Sequence, residues 1–359
     1  MNRNLFSRLV LVGAAVTGLV LAGCSSNNGG TSSSATTSGG SNLASLSGDL
    51  KASGATFPDA YYQEVISQFK SVAPNVTVTY NAVGSGTGKK EFGQSLDDFA
   101  GSDSLVKPTD GPAPGSFLYI PTVAAPITVS YNLSGVDKLQ LSPDTLAKIF
   151  STDIKKWNDP AIAADNPGVS LPNKNITVAH RSDGSGTTNN FTKFLTAAAP
   201  NDWKLGSGDT VNWPASTQGA EKNTGVAQII KQSDGAIGYV DFSDASELQL
   251  TFASIKNKSG QFVAPTLEGA AAAIEGATVA EDLSYNPLNA DGATAYPITS
   301  PTYILIKSKY DDPKKAELVK GFVRYLLTDG QAIAKDVNFA ALPSSLQQKA
   351  LAQLDKVQT

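Results

Sequence analysis

The sequence predicts an α/β protein of two domains joined by two crossing strands. Strand-like runs alternate with helical ones from Leu50 onward, which is the pattern of α/β domains. Two extended, β-rich passages broken by prolines, residues 119–131 and 296–306, lie far apart in the chain and suit strands that pass between domains. A length of 359 residues leaves room for two domains and a large core.

In chain order, the first segment stands apart from the fold. Arg3 and Arg8 precede an apolar run over residues 9–21 that ends in Leu21-Ala22-Gly23-Cys24 and is short for a membrane span. It resembles a bacterial lipoprotein signal with its lipobox. That resemblance implies cleavage after residues 1–23 and a lipidated Cys24; the alternative is an ordinary secretory signal with a chance cysteine. Residues 24–48 then hold the lipid and a flexible tether of Ser, Gly, Thr and Asn. Cys24 is the only cysteine, so no disulfide framework exists and thiol or zinc chemistry in the folded part is excluded. Losing Arg3 and Arg8, and no acidic residue, takes the formal charge from -4 to -6. Such a mildly acidic chain is a poor partner for nucleic acid. Any anion it binds must be held by local dipoles rather than by the overall field.

The folded part opens on Gly54-Ala55-Thr56-Phe57-Pro58. Pro58 stands where a first helical residue would, and Tyr61, Tyr62, Val65, Ile66 and Phe69 follow at helical spacing, which places Thr56 at a helix N-terminus. Residues 76–80 alternate as a strand and lead straight into Gly84-Ser85-Gly86-Thr87-Gly88-Lys89-Lys90. A P-loop reading of this turn fails on spacing. The glycine due five residues before Gly88 is Val83, and the Ser or Thr due after Lys89 is Lys90. Residues 99–103 form a short apolar run that ends on Asp103. Leu146 to Phe150, and later Phe191, Phe194 and Leu195, give helical periods, and residues 235–240 read as a buried strand. Asp312-Pro313 starts a C-terminal helix with Leu318, Phe322, Tyr325 and Leu326 as its apolar stripe and Gly330 near its end.

The most informative stretch is His180-Arg181-Ser182-Asp183-Gly184-Ser185-Gly186-Thr187-Thr188. A strand delivers a guanidinium, glycines let backbone N–H groups approach a ligand, and hydroxyl residues open a helix whose N-terminus carries unpaired donors and the positive end of the dipole. The planar fork of Arg suits a tetrahedral oxyanion. A plain strand-to-helix turn with a surface Arg fits the same residues, so the choice rests on the remainder of the chain.

Gly54-Ala55-Thr56-Phe57-Pro58, Gly84-Ser85-Gly86, Gly101-Ser102-Asp103, the Arg181 to Thr187 block, Gly235-Ala236-Ile237-Gly238-Tyr239 and Pro297-Ile298-Thr299 occur in the order seen in the PstS family. The sequence resembles these extracytoplasmic phosphate-binding proteins of the phosphate ABC importer from about Leu50 to the C-terminus. The resemblance implies a hinged, two-domain periplasmic-binding-protein fold of type II, with residues 49–123 plus 296–359 as domain I and 124–295 as domain II. Its implied ligand contacts are Thr56, Phe57 through its backbone N–H, Ser85, Asp103, Arg181, Ser185, Gly186 and Thr187, with Asp183 bracing Arg181. It further implies a monomer without metal, cofactor or catalytic step, handing phosphate to membrane permease subunits. The lipobox and tether point to the outer face of a Gram-positive type of cell membrane.

The chemistry of these residues supports the same reading. Hydroxyl and amide donors are worth about 1.5–3 kcal/mol each against a charged partner, and several of them with Arg181 offset the several kcal/mol needed to desolvate an anion. Asp103 is out of place among anion-binding groups unless the ligand brings a proton. Phosphate does so near neutral pH and sulfate does not, so Asp103 would set two acceptors against each other in a sulfate complex. The plainer reading of Asp103 is a helix N-cap. Three alternatives stay open: the same fold binding sulfate or molybdate, a phosphoester hydrolase, and a surface receptor using Trp157, Trp203 and Trp213. The hydrolase lacks a base, since His180 neighbours Arg181 on a strand and should point to the opposite face. The tryptophans lie in mixed polar stretches and suit local core.

Overall fold

The computed structural model describes residues 42–359; the expected signal segment, Cys24 and the tether up to residue 41 lie outside the described residues. Parallel strands β1 (Ser47–Gly54), β2 (Asn75–Ala82) and β3 (Phe99–Ser102) alternate with α1 (Asp59–Val72) and α2 (Ser85–Gly93). The long β4 (Phe117–Asn132) leads to β5 (Gln140–Leu141), α3 (Pro143–Phe150), α4 (Pro160–Asp165), β6 (Thr177–Arg181) and α5 (Gly186–Ala198). Next come β7 (Gln218–Ala220), α6 (Lys222–Gln232), β8 (Ala236–Asp241), α7 (Phe242–Glu247), β9 (Thr251–Phe252), β10 (Ser254–Lys256), β11 (Phe262–Val263) and α8 (Leu267–Glu275). The chain ends with β12 (Thr299–Lys307), α9 (Pro313–Leu327), α10 (Asp329–Ile333), β13 (Ala340–Ala341) and α11 (Ser344–Leu354).

The main sheet has the order β2-β1-β3-β12-β4-β8-β6-β7. Its middle is antiparallel and its flanks are parallel, because β4 first pairs with β12, from Phe117 to Pro126, and then changes partner to β8, from Ile127 to Asn132. Prolines lack the donor a central ladder needs, yet Pro121 and Pro126 lie within this 16-residue strand. Along its first half the second edge of β4 meets only the two-residue β13, opposite Val123 and Ala124, and Pro126 stands where the partner changes. The expected interruption is therefore one continuous strand.

Aromatic packing fills both halves of the sheet. On one, Phe322 of α9 meets Phe69 of α1 at 5.3 Å and Phe99 of β3 at 5.4 Å. On the other, Phe191 of α5 lies between Phe150 at 4.7 Å and Tyr239 at 4.5 Å. Each such side chain, fully buried, stabilises the fold by about 1.5–3 kcal/mol. Trp157 and Trp203 are buried core residues, and the half-buried Trp213 stacks on His180 at 4.8 Å, so the tryptophans form no exposed partner surface.

Four local readings change. Pro58 is the N-cap of α1 rather than its first residue, with its carbonyl accepting from Tyr62. β1 begins at Ser47 and Leu46 is buried, ahead of the start expected at Leu50. The helix begun by Asp312-Pro313 is not the last element: Gly330 belongs to α10, and β13 and α11 come after it. No helix begins after Asp103, so it is not an N-cap.

Candidate functional site

β6 ends on Arg181, and its parallel register with β8, Ala179 opposite Gly238, sets Tyr239 alongside. The Tyr239 hydroxyl accepts the Arg181 N–H at 3.0 Å and meets Thr188 Oγ1 at 2.6 Å. Burial pushes its pKa up to about 12, so it acts as a neutral phenol. The guanidinium is clamped in a plane: Nε donates to Asp183 Oδ1 at 2.7 Å and Nη2 to Asp183 Oδ2 at 2.5 Å. Nη1 donates to Asn223 Oδ1 at 2.8 Å and, across 125 residues of chain, to Thr56 Oγ1 at 3.0 Å. With its side chain 1% exposed, Arg181 is a fixed positive charge between β6 and the turn ahead of α1.

The turn ahead of α2 faces it. The N–H of Gly86 donates to the carbonyl of Gly184 at 3.0 Å, tying residues 84–86 to the Arg181 turn. Ser85 Oγ accepts from the Asp103 N–H at 3.2 Å and lies 3.4 Å from Asp103 Oδ2. At the head of α5, Gly186 touches both: a Cβ there would stand 2.6 Å from Ser85 Oγ and 2.7 Å from Asp103 Cβ. Only a residue without Cβ admits this approach.

Asp103 carries the chemistry. It is buried, and its Oδ1 has no hydrogen-bond partner. Burial raises its pKa to about 7, against the lowering effects of the nearby Thr302 hydroxyl, which is itself without a hydrogen-bond partner, and of Arg181 and Ser85. The orphan oxygen beside Ser85 and the α5 N-terminus is an acceptor that a protonated guest can satisfy. Ser185 is the N-cap of α5, its Oγ accepting from Thr188 N–H at 3.1 Å, which leaves its own proton to donate. Thr187 Oγ1 accepts from Asn223 Nδ2 at 3.3 Å. Phe57 is buried edge-on against Phe339 at 5.9 Å, so its ring belongs to the core and only its backbone is left to serve the site beside Thr56. The expected set thus converges: Thr56, Ser85, Asp103, Arg181 and Gly186 through direct contacts, Phe57, Ser185 and Thr187 as their chain neighbours.

Two asparagines escaped the sequence reading. Asn223, at the start of α6, joins Arg181 to Thr187. Asn190 Nδ2 reaches the carbonyls of Asp103 at 2.7 Å and Gly186 at 3.1 Å, and Ser300 Oγ of β12 at 3.0 Å. Asn190 left a faint signal, a poor helix former one turn after Gly186; Asn223 left none. His180, as its strand position predicts, turns away from the cradle onto Trp213, with Nδ1 2.9 Å from the Arg181 carbonyl.

Residues 30–330 match the family model described as a PBP superfamily domain. The chain is 35% identical over 317 residues to the phosphate-binding protein PstS of Pasteurella multocida, covering 87% of this chain and 91% of that one. With the phosphate-binding protein PstS 3 of Mycobacterium leprae it shares 35% identity over 355 residues, 94% and 95% of the two chains. Among solved structures, a high-affinity periplasmic phosphate-binding protein bound with phosphate aligns with a TM-score of 0.70 at 24% identity, over 85% of this chain and 93% of that one. A phosphate binding protein from Stenotrophomonas maltophilia aligns at 0.63 and 22%, over 85% and 94%. These structural likenesses speak for the fold.

Proposed function

The chain belongs to the PstS family of phosphate-binding proteins, and from that premise we propose that it captures inorganic phosphate outside the cytoplasm and delivers it to an ABC permease. Thr56, Phe57 N–H, Ser85 and Asp103 would meet the anion from residues 49–123 plus 296–359. Arg181, Ser185, Gly186 and Thr187 would meet it from residues 124–295. The two parts would open to admit the ligand and close around it. Asp183 and Asn223 hold the guanidinium in plane; Asp183 offsets part of its charge, and of the five N–H donors one on Nη2 is left for the anion.

The single observation that carries this reading is the buried Asp103 with its unpartnered Oδ1. With Asp103 ionised, above its pKa of about 7, a monoprotonated phosphate donates a proton there, whereas sulfate would present a lone pair to a lone pair. Arsenate, which also keeps a proton, should bind. Among the described residues Ser185 uses its hydroxyl oxygen to cap α5 and His180 is stacked on Trp213, an arrangement that supports binding rather than turnover. Side-by-side calorimetric titration with phosphate, arsenate and sulfate tests the assignment, and sulfate binding as tight as phosphate would remove the role of Asp103.

Cys24 acylation and attachment to the outer face of a Gram-positive type of membrane complete the proposal, resting on the lipobox-like Leu21-Ala22-Gly23-Cys24, together with a monomeric state, which rests on the family resemblance alone. Intact mass of the mature protein reads the first directly: a mass without a lipid increment refutes it.

A further inference from the structure

Lys89 stands where a P-loop would place its phosphate lysine, yet its ammonium is engaged elsewhere. Its side chain is 0% exposed, and Nζ lies 2.8 Å from Asp209 Oδ2 and 3.3 Å from Asp110 Oδ2. It also donates to Ser104 Oγ at 3.1 Å and to the Leu105 carbonyl at 3.3 Å. Ser104, Leu105 and Asp110 come directly after β3, beside α2. Asp209 comes from the other side of the cradle, fastened to α5: its Oδ1 accepts from Asn189 Nδ2 at 2.8 Å, and its carbonyl accepts from the Ser185 N–H at 2.9 Å. The next residue back, Gly208, donates its N–H to Thr192 Oγ1 at 3.3 Å.

Lys89 is four residues after Ser85, hence on the same face of α2. Helix α2 cannot shift easily, because Gly88 lies so near β1 that a Cβ would stand 2.3 Å from Gly54 Cα. One ammonium therefore links the helix that opens with Ser85 to the helix that opens with Ser185 and Gly186. We propose that the Lys89–Asp209 pair is a latch across the closing seam: it forms when the two parts close on the anion, and it sets how long phosphate stays bound. The latch rests on the proposed capture of phosphate. A buried pair of this kind loses its balance when one member is removed, and the loss appears mainly in dissociation.

The test compares wild type, Lys89→Met, Asp209→Asn and the double variant by stopped-flow phosphate release and association, and by urea unfolding without phosphate. Lys89→Met should release phosphate about 30-fold faster or more, with association changed less than about threefold. The double variant should release more slowly than the two single effects combined predict, while urea unfolding of the phosphate-free proteins shows no such coupling. Asp209→Asn keeps the shape and the Asn189 contact, so it carries the test alone if Lys89→Met fails to fold. Unchanged release, or equal coupling in release and in unfolding, makes the pair a strut of the fold and overturns the latch. A wild-type protein that takes up no phosphate overturns the phosphate reading, and the latch with it.

Discussion

At residues 84–90 a strand gives way to a helix whose N-cap, Gly84, offers no side chain, whereas at 181–188 Ser185 caps α5 with its own hydroxyl. Both turns carry Gly-Ser-Gly and a basic residue. In the second, the basic residue is Arg181, held in plane by Asp183 and by the buried Asn223. In the first it is Lys89, buried among Asp209, Asp110 and Ser104. Similar local chemistry thus serves two ends: the Arg181 turn supplies charge, while the Ser85 turn supplies shape and, through Ser85, holds the buried carboxylate of Asp103. Partners brought by the fold, not the turns themselves, make the difference.

Removing the charge should break the comparison most. Arg181→Ala is expected to weaken phosphate and arsenate alike by about 4 kcal/mol in calorimetric titration, since the anion and Asp183 are both left uncompensated. An effect confined to one oxyanion would contradict a purely electrostatic role. Asp103→Asn should instead alter selectivity, narrowing the phosphate-to-sulfate gap by about 2–3 kcal/mol because an amide can donate where a carboxylate cannot.

The same Asp103→Asn variant reports on pH. In the folded, phosphate-free protein burial raises the Asp103 pKa from 3.8 to about 7, so the folded state holds a proton that the unfolded chain has released. Asp103 therefore lowers stability progressively as pH rises from about 4 to about 7. Wild type minus Asp103→Asn should show this loss in urea unfolding, amounting to a few kcal/mol by pH 8; parallel pH profiles would show that Asp103 is not desolvated.

Smaller effects sharpen the picture of the contact between the turns. Gly186→Ala should cost about 2 kcal/mol of phosphate affinity, because a methyl group would push against Ser85 and Asp103. Asn223→Ala should cost about 1–2 kcal/mol by freeing Arg181 and Thr187, with Asp103-dependent selectivity unchanged. A change of selectivity in Asn223→Ala would mean that the two turns are not separable.

Much of the fold was legible because it is local. The stripe of Tyr61, Tyr62, Val65 and Phe69 marked α1, and the alternation at residues 76–80 marked β2. Prolines misled at Pro121 and Pro126, since their tolerance depends on which edges of β4 are paired. Asn190 was faintly legible and Asn223 not at all, because most of their partners lie tens of residues to more than a hundred away.

The sequence by itself determined the alternating α/β class and the chemistry of the two Gly-Ser-Gly turns, since each depends on residues close together in the chain. Tertiary structure alone decided that Thr56 reaches Arg181, that Gly186 closes on Ser85 and Asp103, and that Lys89 faces Asp209. Those are contacts between segments whose meeting is set by the course of β4 and β12 and by burial, neither of which any short stretch encodes.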